Sequence, residues 1–209
     1  MIIESGIMQT QIIYSDDRLN RYLLRKTWDD TKPYATVLMT NAGTADTVSI
    51  DYTTLFTIRN LKDLGFGRVD LVNLTSKITK KIAIPKDNDF AEDPDNVAQI
   101  LQSAEEADKV IIAWGRLGDS NKKVQSLQDK ILEHLKQYEN KLYQICDDNG
   151  EFGFHPLAPS IRFTWHLIPF EIPKPQPPTE TAKPKKKNKK KQSQTADLPV
   201  PEIETAENA

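Results

Sequence analysis

A three-layer α/β/α sandwich is the fold class predicted, with a central, mainly parallel four-stranded sheet and additional strands at both ends of the chain. Three observations predict it. Four short β-branched or apolar runs each stop at a polar or glycine-bearing loop, and three longer segments with helical apolar spacing separate them in turn. A strand–helix alternation of this kind implies right-handed crossovers and a parallel sheet covered by helices. Finally, composition breaks near Pro173, which divides the 209 residues into one domain, 1–172, and a tail, 173–209.

In chain order, QIIYSDDRLNRYLLRKTW (11–28) reads as an N-terminal hairpin or strand pair. ATVLMT (35–40) is the first core strand. YTTLFTIRNLKDLG (52–65) follows as a helix that stops at Gly65, with Asp51 as its N-cap rather than as a catalytic acid. RVDLVNL (68–74) is the second core strand. The long stretch from Thr75 to Asp93 exceeds the usual length of an unstructured connection and reads as a lid, with Lys77, Lys80 and Lys81 giving it a basic face suited to phosphate. PDNVAQILQSAEEA (94–107) starts with a helix-compatible proline, KVIIAWG (109–115) is the third strand, and NKKVQSLQDKILEHLKQY (121–138) is a helix after a Ser120 cap. KLYQIC (141–146) is the fourth strand, and FTWHLIPFEI (163–172) closes the domain as an edge strand.

The tail reads PKPQPPTETAKPKKKNKKKQSQTADLPVPEIETAENA. It has almost no large apolar residues, so it cannot bury enough surface to offset its ordering entropy, and it is expected to be disordered. Eight of the 28 basic and five of the 30 acidic residues lie from Lys174 onward, which leaves the body at −5 and the tail at +3. An acidic body provides no whole-domain field for a polyanion. The lysine block Lys183–Lys191 is a local cation cluster that reads either as a solubilising tail or as a contact for nucleic acid, an acidic partner or a membrane surface.

The single Cys146 excludes an intramolecular disulfide and reads as a small core residue. No N-terminal basic-then-apolar segment is evident, and runs such as VIIAW (110–114) fall far short of the roughly 20 residues that cross a bilayer. A cytoplasmic location is expected. Phosphate-loop, serine-elbow and paired Cys/His patterns are absent from the sequence, and the acidic run DFAEDPD (89–95) reads as a solvated loop and helix entry rather than as a carboxylate site for a divalent ion, so no cofactor or metal is expected.

Four strand-terminal loops of a parallel sheet converge on one edge, where open α/β folds place their ligands. Here they carry Asn41 and Asp46, then Asn73, then Trp114-Gly115-Arg116, then His155-Pro156-Leu157. Short residues around Gly43 and Thr44 leave room for a ligand. Asn41 reads equally as a loop-bonding asparagine or a direct ligand. Asn73 could bond a neighbouring loop, and Trp114 could pack rather than stack on a base. His155, with a ring that donates, accepts or carries a proton near neutrality, is the leading functional candidate. His134 reads as surface, and His166 as either core or surface.

The ordered set RYLLRKTW (21–28), NAGTAD (41–46), DYTT (51–54), GFGRVDLVNL (65–74), AWG (113–115) and HPL (155–157) resembles the family catalogued as domain of unknown function 1643 over roughly residues 18–157. The chain departs from that family's pattern at NAGTAD, where the family usually has Asn-Pro-Ser-Thr-Ala-Asp, and at DYT, where it has Asp-Pro-Thr. The order of an Asn loop, a second Asn, Trp-Gly and His-Pro is also similar to the uracil-DNA glycosylase superfamily. That resemblance implies that Asn41 positions water, Asn73 reads a base and His155 stabilises the leaving base, with Asp46 as a further catalytic candidate. Gly43, Thr44, Trp114, Gly115 and Arg116 complete the expected site. Two readings stay open: a module binding a nucleotide, nucleobase or nucleic acid, and a hydrolase of a nucleobase glycosidic bond.

Overall fold

The computed structural model describes residues 1–78 and 92–173. The chain divides into Met1–Pro173 and Lys174–Ala209. The second unit, with the lysine block and the expected disorder, lies outside the described residues, as do Lys80, Lys81 and most of the expected lid.

Met1–Pro173 is a mixed α/β unit around one seven-stranded sheet. Its strands are β1 (Gln9–Tyr14), β2 (Arg21–Thr27), β3 (Tyr34–Ala42), β4 (Arg68–Ile78), β5 (Lys109–Ile112), β6 (Leu142–Cys146) and β7 (His166–Pro169). The helices are α1 (Tyr52–Asp63), α2 (Pro94–Glu106), the single turn α3 (Leu117–Ser120) and α4 (Lys122–Leu135), which runs into a 3₁₀ segment. Spatial order is β1-β2-β4-β3-β5-β6-β7. The pairs β4–β3, β3–β5 and β5–β6 are parallel; β1–β2, β2–β4 and β6–β7 are antiparallel.

β3 is central, and all of its residues but Asn41 are buried. Such strands read as unbroken apolar runs because both faces are covered. Their side chains alternate accordingly: Tyr34 and Leu38 join Ile100 of α2 and Ile131 of α4, while Ala35, Val37 and Met39 join Leu61 of α1. Asp51 caps α1 through a 2.8 Å bond from the Thr54 amide, and α1 ends where Gly65 takes φ +86°, a conformation that favours glycine.

Several boundaries differ from expectation: β5 ends at Ile112 rather than 115, β7 spans only His166–Pro169 of the expected 163–172, and two further differences lie at α4 and β4. α4 is capped by Asn121, whose side chain accepts from the Lys123 and Val124 amides, and Ser120 belongs to the preceding turn. β4 continues to Ile78 because Asn41 and Ala42 at the end of β3 pair with Thr75 and Ile78, so residues 75–78 are strand rather than lid.

The order around β3 positions the site. From β3 the chain crosses to β4 on one side, and β5 takes up the other side. The helices that follow β3 and β5 pack into different apolar clusters, so the two loops part at the strand ends and leave a crevice.

Candidate functional site

A cavity of about 400 Å³ occupies that crevice. Its walls come from the end of β3 and the following loop (Thr40 to Thr44), the start of α1 (Asp51, Thr53), the loop after β5 (Trp114 to Leu117), and His155 with Leu157. Asn41, Gly43, Thr44, Trp114, Gly115, Arg116 and His155 therefore share one cavity, although residues 41 and 155 are far apart in the chain.

Asn73 and Asp46 are not among its walls. With β4 extended to Ile78, Asn73 is a mid-strand residue; its buried amide donates to the Asn41 carbonyl at 2.8 Å, bracing the cavity wall from behind. Asp46 is exposed, and its carboxylate accepts from the Val48 and Ser49 amides at 2.8 and 2.6 Å. Those amides hold its carboxyl below the usual carboxylate range. It shapes the loop instead of facing the cavity, as short acidic side chains do beside free backbone N–H groups.

Asn41 is half-buried, and its Oδ1 accepts from the Thr75 hydroxyl at 2.8 Å. That bond turns the amide end of the side chain into the group left for a ligand. Trp114 lines the cavity; its indole meets Phe170 edge-on at 6.4 Å, and its carbonyl accepts from Thr40 Oγ1 at 2.9 Å. Arg116 sits at the rim, with Nη2 donating to the Phe152 carbonyl at 3.2 Å and reaching Glu151 at 3.4 Å.

His155 is held by the strain-tolerant Gly115 (φ +71°): a Cβ there would lie 3.2 Å from the histidine Cβ. The Leu157 amide donates to Nδ1 at 3.2 Å, so Nδ1 is unprotonated and Nε2 carries the ring proton. Burial pushes the pKa of His155 down, and the nearby Asp51 carboxylate opposes that shift. The cavity thus contains a neutral imidazole whose Nε2–H is a donor.

Asp51 is the residue that sequence reasoning placed only as a cap. It is a cap through Oδ1, and it also lines the cavity, with Oδ2 beside Gly43. The signal was present: the N-cap of the helix following a parallel strand must lie at that strand's carboxyl end. A Cβ on Gly43 would fall 2.6 Å from Oδ2. Gly43→Ala is therefore expected to displace the carboxylate, weaken the cap by about 1 kcal/mol and lower ligand affinity, checked by thermal melting and titration.

Behind the loop, buried Arg21 donates Nη1 to the Ala45 carbonyl at 2.9 Å. Burial lowers its pKa, and Asp51 pushes it back up. This positive group supports both the loop and the carboxylate. Among the described residues no group of three or more His, Cys, Asp or Glu could hold a metal ion. His166 is exposed and pairs with Asp148, His134 is exposed and pairs with Glu92, and Cys146 is buried and free. No helix among the described residues is long and apolar enough to cross a membrane.

The walls thus bring a carboxylate, an imidazole, an amide and a tryptophan to one cavity of small-molecule size. A family model described as Protein of unknown function (DUF1643) matches residues 21–157. The match begins at Arg21 and ends at Leu157, so it encloses every wall of the cavity and leaves out β1 and β7. Comparison with curated proteins gave no match, and comparison with solved structures gave none.

Proposed function

Because the chain belongs to the DUF1643 family, whose matched region contains the whole cavity, we propose that this cavity is the protein's functional centre and binds a nucleobase-bearing ligand, free as a nucleotide or within nucleic acid. The observation that carries the reading is that the Asp51 carboxylate, an acceptor, and the His155 imidazole, whose Nδ1 is engaged and whose Nε2 carries the proton, belong to residues lining one cavity with Trp114. A base edge presents complementary donors and acceptors, and its face suits an aromatic wall. The volume of about 400 Å³ lies within the range of small-molecule sites. The two apolar clusters support the three-layer α/β/α reading, and the lone cysteine fits a cytoplasmic setting.

The second reading, glycosidic-bond hydrolysis, is favoured by one observation: a carboxylate and a neutral imidazole line the same cavity. Water would add to the anomeric carbon, losing its proton to Asp51, as the C–N bond breaks and its electron pair leaves with the base. His155 Nε2–H would hydrogen-bond the base as it gains charge. Isothermal titration of the full chain with nucleobases, nucleosides and nucleoside monophosphates tests the binding reading. Saturable heat is the expected result, weakened by Asn41→Ala, and no binding at millimolar ligand overturns it. Release of free base from a nucleoside or oligonucleotide, followed chromatographically, would establish the second reading.

A further inference from the structure

α1 sets Leu61 and Ile58 against the core but turns other large side chains outward. Its buried residues are Thr54, Thr57, Asn60 and Leu61, while Tyr52 is 70% and Leu55 48% exposed. A helix normally turns its larger apolar side chains inward, so large apolar groups facing solvent mark a surface that meets a partner. The outward aromatics also form a chain of rings. Tyr52 stacks on Phe56 at 6.3 Å, and Phe163, 55% exposed, meets Phe56 edge-on at 5.4 Å.

Cations accompany the rings. The Arg59 guanidinium lies 5.3 Å over Phe163, and that of Arg162 lies 5.7 Å over Phe56. Lys62 extends the exposed stripe of α1, where Asp63 is the one acid between residues 52 and 63. A locally cationic, aromatic strip on a net acidic body complements a polyanion with flat faces. The strip is also continuous with the cavity: Tyr52 stands between Asp51 and Thr53, both of which line it.

We infer that the outer face of α1 is a stacking platform for a single-stranded nucleic acid, with neighbouring bases on Tyr52 and Phe163, phosphates near Arg59 and Arg162, and one nucleotide in the cavity. Single-strand binders combine such aromatic faces with a cationic track, and a duplex hides the base faces that these rings require. The inference rests on the nucleobase reading of the cavity and narrows its substrate class from a free nucleotide to a strand.

The test is fluorescence anisotropy of the full chain with a labelled mixed-sequence single strand of about 12 nucleotides, run beside calorimetry with nucleoside monophosphates. Tyr52→Ala and Phe163→Ala should each weaken strand binding about fivefold or more. Tyr52→Phe should retain it, and monophosphate binding should be unchanged in all three. Both side chains are largely exposed, and circular dichroism confirms that the variants fold. Wild-type strand affinity in both alanine variants overturns the inference, as does equal affinity for duplex, or a loss of self-association with no change in strand binding. Monophosphate binding with no tighter strand binding overturns the platform and spares the cavity reading; absence of both overturns the two together.

Discussion

Replacing Asp70 by alanine is expected to lower folding stability by about 3–5 kcal/mol, because it strips the partner from a buried ion pair. Asp70 is fully buried at the start of β4, opposite the cavity end of the strand. Arg25 of β2 grips it with two bonds, Nε to Oδ1 at 2.6 Å and Nη2 to Oδ2 at 2.7 Å, and Ser103 of α2 donates to Oδ2 at 2.9 Å. Arg25 stays positive in this setting, since its own pKa is raised chiefly by the bond to Asp70. Glu106 lies 3.3 Å from Arg25 and gives the orphaned guanidinium a second, more exposed partner, which places the loss toward the lower end. Urea unfolding measures it. A loss under about 1 kcal/mol would mean that the pair behaves as a surface pair. A second readout is independent of unfolding. Burial first and the Asp70 charge second push the Tyr34 hydroxyl up to about 12, so ultraviolet titration of the variant should show this tyrosine ionising at lower pH. Ligand binding at the far end should be unchanged.

His155→Ala is expected to do the reverse, weakening ligand binding roughly 5- to 150-fold, the cost of about 1–3 kcal/mol for a buried acceptor left without its donor, while changing stability at neutral pH by only about 1 kcal/mol through loss of the Leu157 amide bond. Calorimetry with the best-bound nucleoside monophosphate, paired with thermal melting, checks both. The pH dependence has a definite sign. Burial lowers the His155 pKa below its ordinary 6.5, so below about pH 6.5 the unfolded chain binds more protons here than the folded one. Wild type therefore loses stability at this site as pH falls from about 6.5 toward the lower folded-state pKa, and the alanine variant lacks that part of the decline. Parallel slopes for the two proteins from pH 7 to 5 would show that His155 titrates as if solvated. An unfolded variant at pH 7 would make the histidine a packing residue.

The core strands and three long helices were legible because buried parallel strands leave apolar runs, such as Val37 to Met39 and Val110 to Ile112, bounded by polar or glycine-bearing loops. The convergence of Asn41, Gly115 and His155 followed from the strand–loop pattern alone, since loops after parallel strands share an edge. What was not legible turned on where a strand ends and on which way particular side chains turn. Ending the second core strand at Leu74 made Asn73 a loop residue, whereas pairing of β4 with β3 through Ile78 buries it behind Asn41. Asp46 read as a further catalytic candidate, and only the positions of the Val48 and Ser49 amides show where its carboxylate turns. Asp51 went the other way: capping one amide uses one oxygen, and a sequence does not show where the second one faces. The outward aromatics of α1 were hidden because helical spacing specifies that two faces differ, not which of them is inside.

The two oxygens of Asp51 tie occupancy to folding by mass action. Oδ1 holds the first turn of α1, and Oδ2 borders the cavity, so a bound group that accepts the geometry of one oxygen restrains the other. A ligand bonded there selects conformers in which the turn is formed, and a formed turn presents the carboxylate already oriented. By linkage each favours the other equally, and a ligand at a hundred times its dissociation constant adds about 2.7 kcal/mol to the stability of the whole fold. Under the proposed function, the melting temperature of the chain is therefore expected to rise with ligand concentration and so to report the filling of its cavity.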